Sequence, residues 1–313
     1  MRYYFAPLEG LTDSTFRRLH HKYFPGVDQY YTPFFSPTPH RSLTPKERRE
    51  LPEAQEDFIV VPQVLTKNSA DFLWMADQCR DQGYQQINLN IGCPSGTVTA
   101  KGKGAGMLQD LDALDRFLDE IFSSCSLPIS VKTRIGFSSP EEFPQILQVL
   151  NRYPIYELTI HPRVRKDFYS SQVDMDAFRY ALANSAAPLC YNGNLCSHSQ
   201  IRRFQEEFPS VKAVMLGRGL IADPGLFSQE GTQVQTLARF HDELLENYLE
   251  AFGGSRNAMF RMKEHWRYLI RKFENADKLG KRLRKTTDLA EYKSITKEIF
   301  GTLSMLDEVN PDW

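Results

Sequence analysis

The stretch Gln86–Thr133, QINLNIGCPSGTVTAKGKGAGMLQDLDALDRFLDEIFSSCSLPISVKT, decides the fold of this chain. It begins with alternating apolar residues over Gln86–Ile91, a pattern typical of a β-strand. Over Asp110–Phe122 the apolar residues recur every three or four positions, as on one face of an amphipathic helix. A second strand-like run, Pro128–Thr133, follows. Strand, helix and strand in this order indicate a βαβ unit of a parallel sheet.

The same alternation of strands and helices fills the chain up to Gly217. The eight predicted strands are Tyr3–Ala6, Gln29–Pro33, Phe58–Val64, Gln86–Ile91, Pro128–Thr133, Tyr156–His161, Pro188–Asn192 and Ala213–Gly217. Eight such units favour an α/β fold of the (β/α)8 TIM-barrel type, with an open doubly wound sheet as the alternative. Thr12 and Ser69 precede two of the helical segments and are the expected N-caps.

Beyond the eighth strand only helical periodicity continues, over Leu237–Phe252, Ala258–Phe273 and Thr286–Leu306. A chain of 313 residues is about two domain lengths, which leaves room for a second domain. We therefore predict a TIM-barrel domain over residues 1–231 and a small, basic, all-helical domain over residues 232–313.

The charge of the chain is unevenly distributed. The 38 basic and 39 acidic side chains give a net charge of −1, which by itself argues against a polyanionic partner. Residues 255–285, however, hold 11 Lys and Arg against 3 acids, a net charge of +8, so the rest of the chain carries −9. This basic segment is either a solvated helix face or a surface for a polyanion such as RNA.

Composition excludes several classes of protein. Apolar residues make up 41% and charged residues 25%, as in an ordinary globular protein. No run approaches the ~20 apolar residues that cross a bilayer, and the N-terminus, interrupted by Pro7 and Glu9, is unlike a secretory signal. The five cysteines form no Cys-x-x-Cys pair and fit no zinc spacing. We expect a cytoplasmic protein with reduced thiols, no metal site and no membrane partner.

Seven of the eight predicted strands end in polar or glycine-rich sequence. These ends are residues 6–10 (APLEG), 62–64 (PQV), 88–94 (NLNIGCP), 131–134 (VKTR), 161–163 (HPR), 192–194 (NGN) and 217–219 (GRG). Any one of them alone fits an ordinary turn, but TIM-barrel enzymes place their chemistry at the carboxyl ends of the strands. Together these ends predict an active site.

The last two strand ends indicate a phosphate site. TIM barrels often bind phosphate with the loops after the seventh and eighth strands. Gly193, Gly217 and Gly219 would let backbone N–H groups approach an anion, and Arg218 adds a charged fork. We therefore expect a phosphorylated ligand.

Two further residues carry reactive groups. Lys132 lies in an otherwise apolar strand, where it is costly unless it reaches the open barrel mouth. It suits either a Schiff base or a hydrogen bond to an anionic or carbonyl group of a cofactor. Cys93 lies between Gly92 and Pro94, before a loop rich in glycine and lysine, and we expect a reactive thiol on a mobile lid.

These strand ends resemble the motifs of the dihydrouridine synthase family over about residues 3–227. The motifs are 6–13 (APLEGLTD) with Phe16 and Arg17, 90–94 (NIGCP) with Val98, Gly106 and Leu108, 132–134 (KTR), His161, Arg163 and Arg165 with Tyr169, 192–194 (NGN) and 217–219 (GRG). Residues 253–271, with Arg261, Lys263 and His265, resemble the helical C-terminal domain of that family more loosely.

The resemblance implies an FMN-bound barrel that reduces the C5=C6 bond of selected uridines in RNA, with NADPH as the transient reductant. Transfer RNA is the expected substrate and ribosomal RNA the alternative. Cys93 would be the proton donor, since an unperturbed thiol, of pKa about 8.5, is still protonated at neutral pH. The implied cofactor contacts are Pro7, Leu8, Gln63, Lys132, His161, Asn192, Gly193, Asn194, Gly217 and Arg218. The implied substrate contacts are Asn90, Arg163, Arg165, Tyr169, Arg261, Lys263 and Arg267.

Three other functions are left open by the residues. An FMN barrel that reduces a free pyrimidine, like the dihydroorotate dehydrogenases, leaves the basic segment unexplained. A Schiff-base aldolase that uses Lys132 leaves Cys93 unexplained as well. A non-catalytic RNA-binding module has no need of seven polar strand ends. We expect no obligate protein partner and a monomer.

Overall fold

The fold is built on a sheet of nine strands, in a computed structural model that describes residues 1–38, 40–51 and 57–310. The strands are β1 (Arg2–Phe5), β2 (Gln29–Tyr31), β3 (Ile59–Val61), β4 (Gln63–Val64), β5 (Ile87–Ile91), β6 (Ile129–Gly136), β7 (Leu158–Val164), β8 (Leu189–Tyr191) and β9 (Ala213–Leu216). They are hydrogen-bonded in the order β3-β2-β1-β9-β8-β7-β6-β5-β4 and run parallel. Each of the eight predicted strands is therefore present.

The sheet closes into a barrel at Pro62. β3 pairs with β2 and β4 pairs with β5, so the two ends of the strand order are the two halves of one predicted strand. Pro62 separates these halves because it has no N–H to donate to the ladder. Gln63 keeps the connection to the second strand, since its N–H donates to Thr32 Oγ1 at 3.0 Å. The TIM-barrel prediction is confirmed over the open sheet.

The interior of the barrel is apolar on one side and polar on the other. One cluster of buried side chains is apolar or aromatic and comes from β1–β3 and β8–β9: Tyr4, Ala6, Tyr31, Val61, Cys190, Ala213 and Met215. On β4–β6, by contrast, Gln63, Asn88 and Ser130 are fully buried. Buried polar groups must find hydrogen-bond partners inside the protein, so this side of the barrel is built for a polar network.

Helices fill the connections between strands and the C-terminal third of the chain. They are α1 (Ser14–Tyr23), α2 (Pro45–Glu50), α3 (Ser69–Asp81), α4 (Gly96–Thr99), α5 (Leu111–Ser124), α6 (Phe143–Leu150), α7 (Met175–Asn184), α8 (His198–Glu207), α9 (Arg218–Ala222), α10 (Val234–Phe252), α11 (Ser255–Leu269), α12 (Asp277–Lys285) and α13 (Leu289–Thr302). Within the residues described above, no helix is long and apolar enough to cross a membrane.

The chain divides into two compact units. The first comprises Met1–Pro7, Gln29–Gly193 and Ser210–Met215, and it contains nearly the whole sheet. The second comprises Leu8–Asp28, Asn194–Pro209 and Leu216–Trp313, and it contains α1 and α8–α13. The predicted domain boundary between residues 231 and 232 stays a prediction, because the second unit joins the C-terminal helices to earlier parts of the chain.

Two of the predicted N-caps are displaced by one residue. Asp13 caps α1, with its Oδ1 accepting the Phe16 N–H at 3.0 Å, while Thr12 Oγ1 accepts the Leu8 N–H at 2.8 Å. Asn68, not Ser69, caps α3. In both places two adjacent residues can cap the helix, and the one that does not cap makes another hydrogen bond, Thr12 with Leu8 and Ser69 with Glu120.

The C-terminal helices include one that the sequence analysis missed. The second predicted helix ends at Leu269 and is followed by a 3-10 turn over Ile270–Lys272. The next helix, α12, buries only Leu279, Gly280 and Leu283. Its remaining positions are charged, so its apolar pattern is too sparse to identify it from the sequence alone.

Candidate active site

Three buried amide side chains on β4 and β5 form one hydrogen-bonded chain. Gln63 Nε2 donates to Asn88 Oδ1 at 2.7 Å, and Asn90 Nδ2 donates to Gln63 Oε1 at 2.8 Å. Asn88 Nδ2 continues the chain by donating to Ser130 Oγ at 2.9 Å. Because each amide is held by the next, the chain fixes the position of Asn90.

Asn90 holds the turn that carries Cys93. Its Oδ1 accepts the N–H of Gly92 at 3.0 Å and the N–H of Cys93 at 2.9 Å. A Cβ on Gly92 would lie 3.1 Å from the carbonyl carbon of Thr133, so the turn packs tightly against β6. The Cys93 side chain is half-buried. Its thiol is thus presented from a fixed turn at the carboxyl end of β5.

Two arginines bind the carbonyl oxygens on either side of Cys93. Arg134, at 1% exposure, donates from Nε to the carbonyl oxygen of Gly92 at 3.0 Å. Arg165 donates from Nε to the carbonyl oxygen of Pro94 at 3.1 Å and from Nη2 to Thr99 Oγ1 at 3.1 Å. Arg165 was expected to contact substrate, and in this structure its guanidinium binds the Cys93 segment itself.

The segment after Cys93 is folded rather than extended. Gly96–Thr99 forms α4, and a 3-10 helix spans Gly104–Gln109, of which Gly104–Leu108 are buried. Gly104 has a φ of +57°, and a Cβ there would lie 2.9 Å from Cys93 Cβ. The close approach requires glycine at this position. The predicted lid therefore packs directly against the turn that carries the thiol.

Lys132 lies on β6 beside Asn90 of the neighbouring strand. Burial, together with the nearby Arg134 guanidinium, lowers the pKa of Lys132 to about 8. Within the described part of the chain, its ammonium group has no hydrogen bond and no ion pair. A half-buried lysine of lowered pKa is a candidate for binding an anionic or carbonyl group of a ligand.

His161 has a fixed tautomer. Arg163, itself 1% exposed, donates from Nη1 to His161 Nε2 at 2.8 Å, so Nε2 carries no proton and the ring hydrogen is on Nδ1. The ring stacks on Tyr169, with centroids 5.8 Å apart, and Tyr169 is 47% exposed. Arg163, an expected substrate contact, is instead buried beside His161. Its Nη2 is buried without a hydrogen-bond partner among residues 1–38, 40–51 and 57–310.

The predicted phosphate-binding residues are divided between the two compact units. In the first unit, Asn192 Nδ2 donates to the Met215 carbonyl oxygen at 2.7 Å, and a Cβ on Gly193 would lie 2.7 Å from Tyr191 Oη. In the second unit, Arg218 Nη2 donates to Asn194 Oδ1 at 3.2 Å.

The start of α9 is also tightly packed within the second unit. Gly217 is its N-cap, and a Cβ on Gly219 would lie 2.6 Å from the Leu195 carbonyl oxygen. Close packing against residues 195 and 196 therefore requires glycine at position 219.

The first predicted strand end continues into the second unit at Leu8. Pro7 and Leu8 are both half-buried, and the loop after them is held by the C-terminal helices. His265 Nε2 hydrogen-bonds the Leu11 carbonyl oxygen at 2.9 Å. Gly10 has a φ of +80° and leaves room for the Arg261 guanidinium. A Cβ added at Gly10 would lie only 2.9 Å from Arg261 Nη1.

The three C-terminal cations expected to bind RNA have different environments. Arg261 lies against Gly10, and its guanidinium is 4.0 Å from the Asp13 carboxylate. Lys263 Nζ donates to the carbonyl oxygen of Thr286, just after α12. Arg267 is exposed, and no hydrogen bond or ion pair to it is present in the described residues. Only Arg267 has its charge fully available to a partner.

Comparison with known proteins places these features in a family. The sequence model of the family described as dihydrouridine synthase (Dus) matches residues 4–305. The chain belongs to the dihydrouridine synthase family. Two relatives named tRNA-dihydrouridine synthase B, from Pasteurella multocida and Proteus vulgaris, are 26% and 28% identical to it. Each alignment covers 72% of this chain, with 68% and 69% of the relatives' own lengths.

Other similarities extend over more of the chain or concern the fold alone. A relative named probable tRNA-dihydrouridine synthase, from Staphylococcus aureus, is 26% identical over 94% of this chain and 91% of its own length. Among solved structures, morphinone reductase has a TM-score of 0.51 at 12% identity, covering 72% of this chain and 84% of its own. The latter similarity supports the barrel fold.

Arg134 has a structural role in this site that its motif alone does not reveal. Arg134 lies within the strand ISVKTRIG, and a charged side chain in such a strand must be fully hydrogen-bonded if it is buried. That requirement was the available signal. What it could not provide was the identity of the three carbonyl oxygens that Arg134 binds, those of Gly92, Val164 and Phe168.

Proposed function

We propose that this chain reduces the C5=C6 bond of specific uridines in tRNA to dihydrouridine, with FMN as bound cofactor and NADPH as reductant. Membership of the family and the names of the relatives support the reaction class. The observation in this chain that carries the proposal is the half-buried Cys93 thiol, held on a turn by Asn90 and Arg134.

The residues present fit a bound flavin. Lys132 offers an ammonium group with no partner among the described residues, and burial lowers its pKa to about 8, as suits a donor to an anionic or carbonyl group. Gln63 on β4 and His161 on β7 lie on either side of β5 and β6 in the sheet and would also contact the flavin ring. In the first unit Asn192 and Gly193 are candidates for binding its phosphate.

Other residues would complete the binding of the cofactor. Pro7 and Leu8 would contact the flavin ring, and Asn194, Gly217 and Arg218 would hold the phosphate. The Arg218 guanidinium, which also binds Asn194, suits a phosphate by its charge and planar geometry. Bound FMN would supply the hydride, taken from NADPH, that the C6 position of the uracil receives.

Cys93 completes the reduction by supplying a proton. The uracil gains one hydride at C6 and one proton at C5, so the thiol S–H bond breaks as the C5–H bond forms. The thiolate left behind regains its proton from solvent. Asn90 and Arg134 keep the turn, and therefore the sulfur, in place during this transfer.

The RNA would bring the uridine to the barrel mouth out of its stack, at a cost of a few kcal/mol. Asn90, Arg163, Arg165 and Tyr169 were the expected substrate contacts near the mouth. Of these, Tyr169 has the most exposed side chain, whereas the two arginines are more deeply buried and bind protein carbonyl groups. We therefore assign direct substrate contact to Tyr169 and a supporting role to Arg163 and Arg165.

The test begins with the absorption spectrum of the purified protein. A protein that neither shows flavin bands nor takes up FMN contradicts the proposal. The holoprotein is then incubated with NADPH and unmodified tRNA, and the nucleosides are analysed by mass. A gain of two hydrogen atoms on uridine supports the proposal. Reduction of ribosomal RNA or of free pyrimidines, with tRNA left unchanged, contradicts it.

A further inference from the structure

Phe260 is the most exposed large apolar side chain of the described residues, at 67% exposure. It lies in the middle of α11, whose other face is buried through Ala258, Met259, Met262 and Trp266. The ring therefore lies on the outer face of the helix and contributes little to the core. An aromatic side chain held in water on a regular helix is a candidate for binding a partner.

The surface around Phe260 is basic. Arg256 precedes it by four residues and Arg267 follows it by seven, spacings that place all three on one helix face. Both arginines are exposed, and within the described residues neither has a hydrogen bond or an ion pair. Glu264 is the acid on the same side of the helix and is half-buried.

A second helix adds cations beside this face. Lys263 Nζ donates to the Thr286 carbonyl oxygen and lies 3.5 Å from the Arg284 carbonyl oxygen, so the end of α12 lies next to α11. Arg284 and Lys285 are exposed there, and the described part of the chain provides no carboxylate for either. We call Arg256, Phe260, Arg267, Arg284 and Lys285 the Phe260 face.

We propose that the Phe260 face binds RNA by stacking one unpaired base on the Phe260 ring, while the surrounding cations bind the adjacent phosphates. A ring can stack on any base, and cations on both sides of it follow the backbone of a single strand. The inference rests on the proposed function for its choice of RNA, and it adds the requirement that the RNA present an unstacked nucleotide at this surface.

A protein partner fits the same surface less well. Stable protein interfaces bury about 1,600 Å² around an apolar centre depleted of charge. Here a single aromatic side chain is surrounded by cations. The charge segregation of residues 255–285, with a net charge of +8, favours a polyanion.

The experiment measures binding of the full-length holoprotein to RNA without NADPH, so that no reduction occurs. The variants are Phe260→Ala, Phe260→Leu and Phe260→Trp, each compared with wild type on unmodified tRNA and on a fully paired RNA duplex. Because Phe260 is exposed, all three variants should keep the wild-type thermal midpoint. Loss of FMN or of cooperative melting in Phe260→Ala alone would identify a folding defect of that variant, and the comparison of Phe260→Leu with Phe260→Trp then decides.

We expect Phe260→Ala and Phe260→Leu to weaken tRNA binding by about 5- to 100-fold, with Phe260→Trp near wild type. Binding to the duplex should be unchanged. The salt dependence of tRNA affinity should equal that of wild type, because no phosphate contact is lost. Arg267→Ala should instead reduce the slope of log affinity against log salt concentration by about one unit, as expected for the loss of one phosphate contact. This difference separates stacking from charge.

Two results would overturn the inference: tRNA affinity unchanged in Phe260→Ala, or Phe260→Leu binding as tightly as wild type. Loss of a protein–protein association in Phe260→Ala, with RNA binding intact, also contradicts it. The proposed function can fail separately. If Phe260-dependent RNA binding is found but no uridine is reduced, the RNA surface stands and the assigned reaction does not.

Discussion

The guanidinium of Arg134 donates its Nε–H to the carbonyl oxygen of Gly92 at 3.0 Å, one residue before Cys93. The same guanidinium donates to the carbonyl oxygens of Val164 at 2.9 Å and Phe168 at 2.7 Å. One buried side chain thus joins the Cys93 turn to the end of β7. The position of the thiol depends on a residue that need not touch the substrate.

Replacing Arg134 by Lys should loosen the Cys93 turn, because an ammonium group cannot bind three carbonyl oxygens in the planar geometry of guanidinium. We expect kcat to fall about 10- to 100-fold with KM for RNA little changed, and the unfolding free energy to fall by about 1 to 3 kcal/mol. Steady-state kinetics and denaturant unfolding measure these effects. Arg152→Lys, at an exposed ion pair with Asp115, is the matched control.

Removing the thiol should separate cofactor binding from turnover. Cys93→Ala should keep its FMN spectrum and RNA affinity but lose about 10²- to 10⁴-fold in turnover, the usual contribution of a positioned acid. Cys125→Ala, which removes another half-buried thiol from the end of α5, should retain wild-type turnover. Wild-type activity in Cys93→Ala would refute its assignment as the acid.

The charge on Lys132 should make stability depend on pH. Burial lowers its folded pKa to about 8 from the ordinary 10.5, so between these values the folded chain holds fewer protons than the unfolded chain. The cost of burying the charge is fully present below pH 8 and disappears as pH rises toward 10.5. In flavin-free protein, Lys132→Met should therefore raise the unfolding free energy at pH 7 by up to about 3 kcal/mol.

That advantage of Lys132→Met should shrink as pH rises from 8 to 10.5, as followed by denaturant unfolding at several pH values. Lys101→Met, at an exposed lysine, is the control and should show no such trend. A constant difference between Lys132→Met and wild type across this range would contradict the cause given for the shift.

The cations of α11 should divide into structural and RNA-binding residues. Lys263→Ala removes the donor to the Thr286 carbonyl oxygen and should lower the unfolding free energy by about 1 to 2 kcal/mol. Arg267→Ala should leave stability within about 0.5 kcal/mol of wild type but weaken tRNA binding in low salt. Thermal melts and salt-dependent binding distinguish the two; equal effects on both measurements would show that this division is wrong.

In the second unit, breaking a buried ion pair should lower the unfolding free energy far more than breaking an exposed one. Lys272 Nζ lies 2.8 Å from Asp223 Oδ2, with both side chains 5% exposed, and it also donates to the Asp307 carbonyl oxygen. Lys272→Met should cost about 3 to 5 kcal/mol because it leaves a buried carboxylate without its partner. Glu298→Ala breaks the exposed pair with Arg282 and should cost less than about 1 kcal/mol.

Strands and the Cys93 turn were predictable because their signals are local. The alternation in INLNI identifies β5, and the following glycine, cysteine and proline mark a turn at its end. The helix α12 was not predictable in this way. Leu279 and Leu283 provide little apolar periodicity, and Gly280 is used for close packing, with a Cβ there only 3.1 Å from the Ile270 side chain.

The sequence by itself determined the strand–helix alternation of an α/β fold and the polar strand ends, because both are carried by neighbouring residues. It also identified Cys93 as the thiol at a strand end. Only the tertiary structure decided what the arginines do. Arg134 reaches Gly92 across 42 positions of the chain, and Arg165 reaches Pro94 across 71. Such hydrogen bonds depend on which strand ends become neighbours when the sheet closes, and no local pattern specifies their partners.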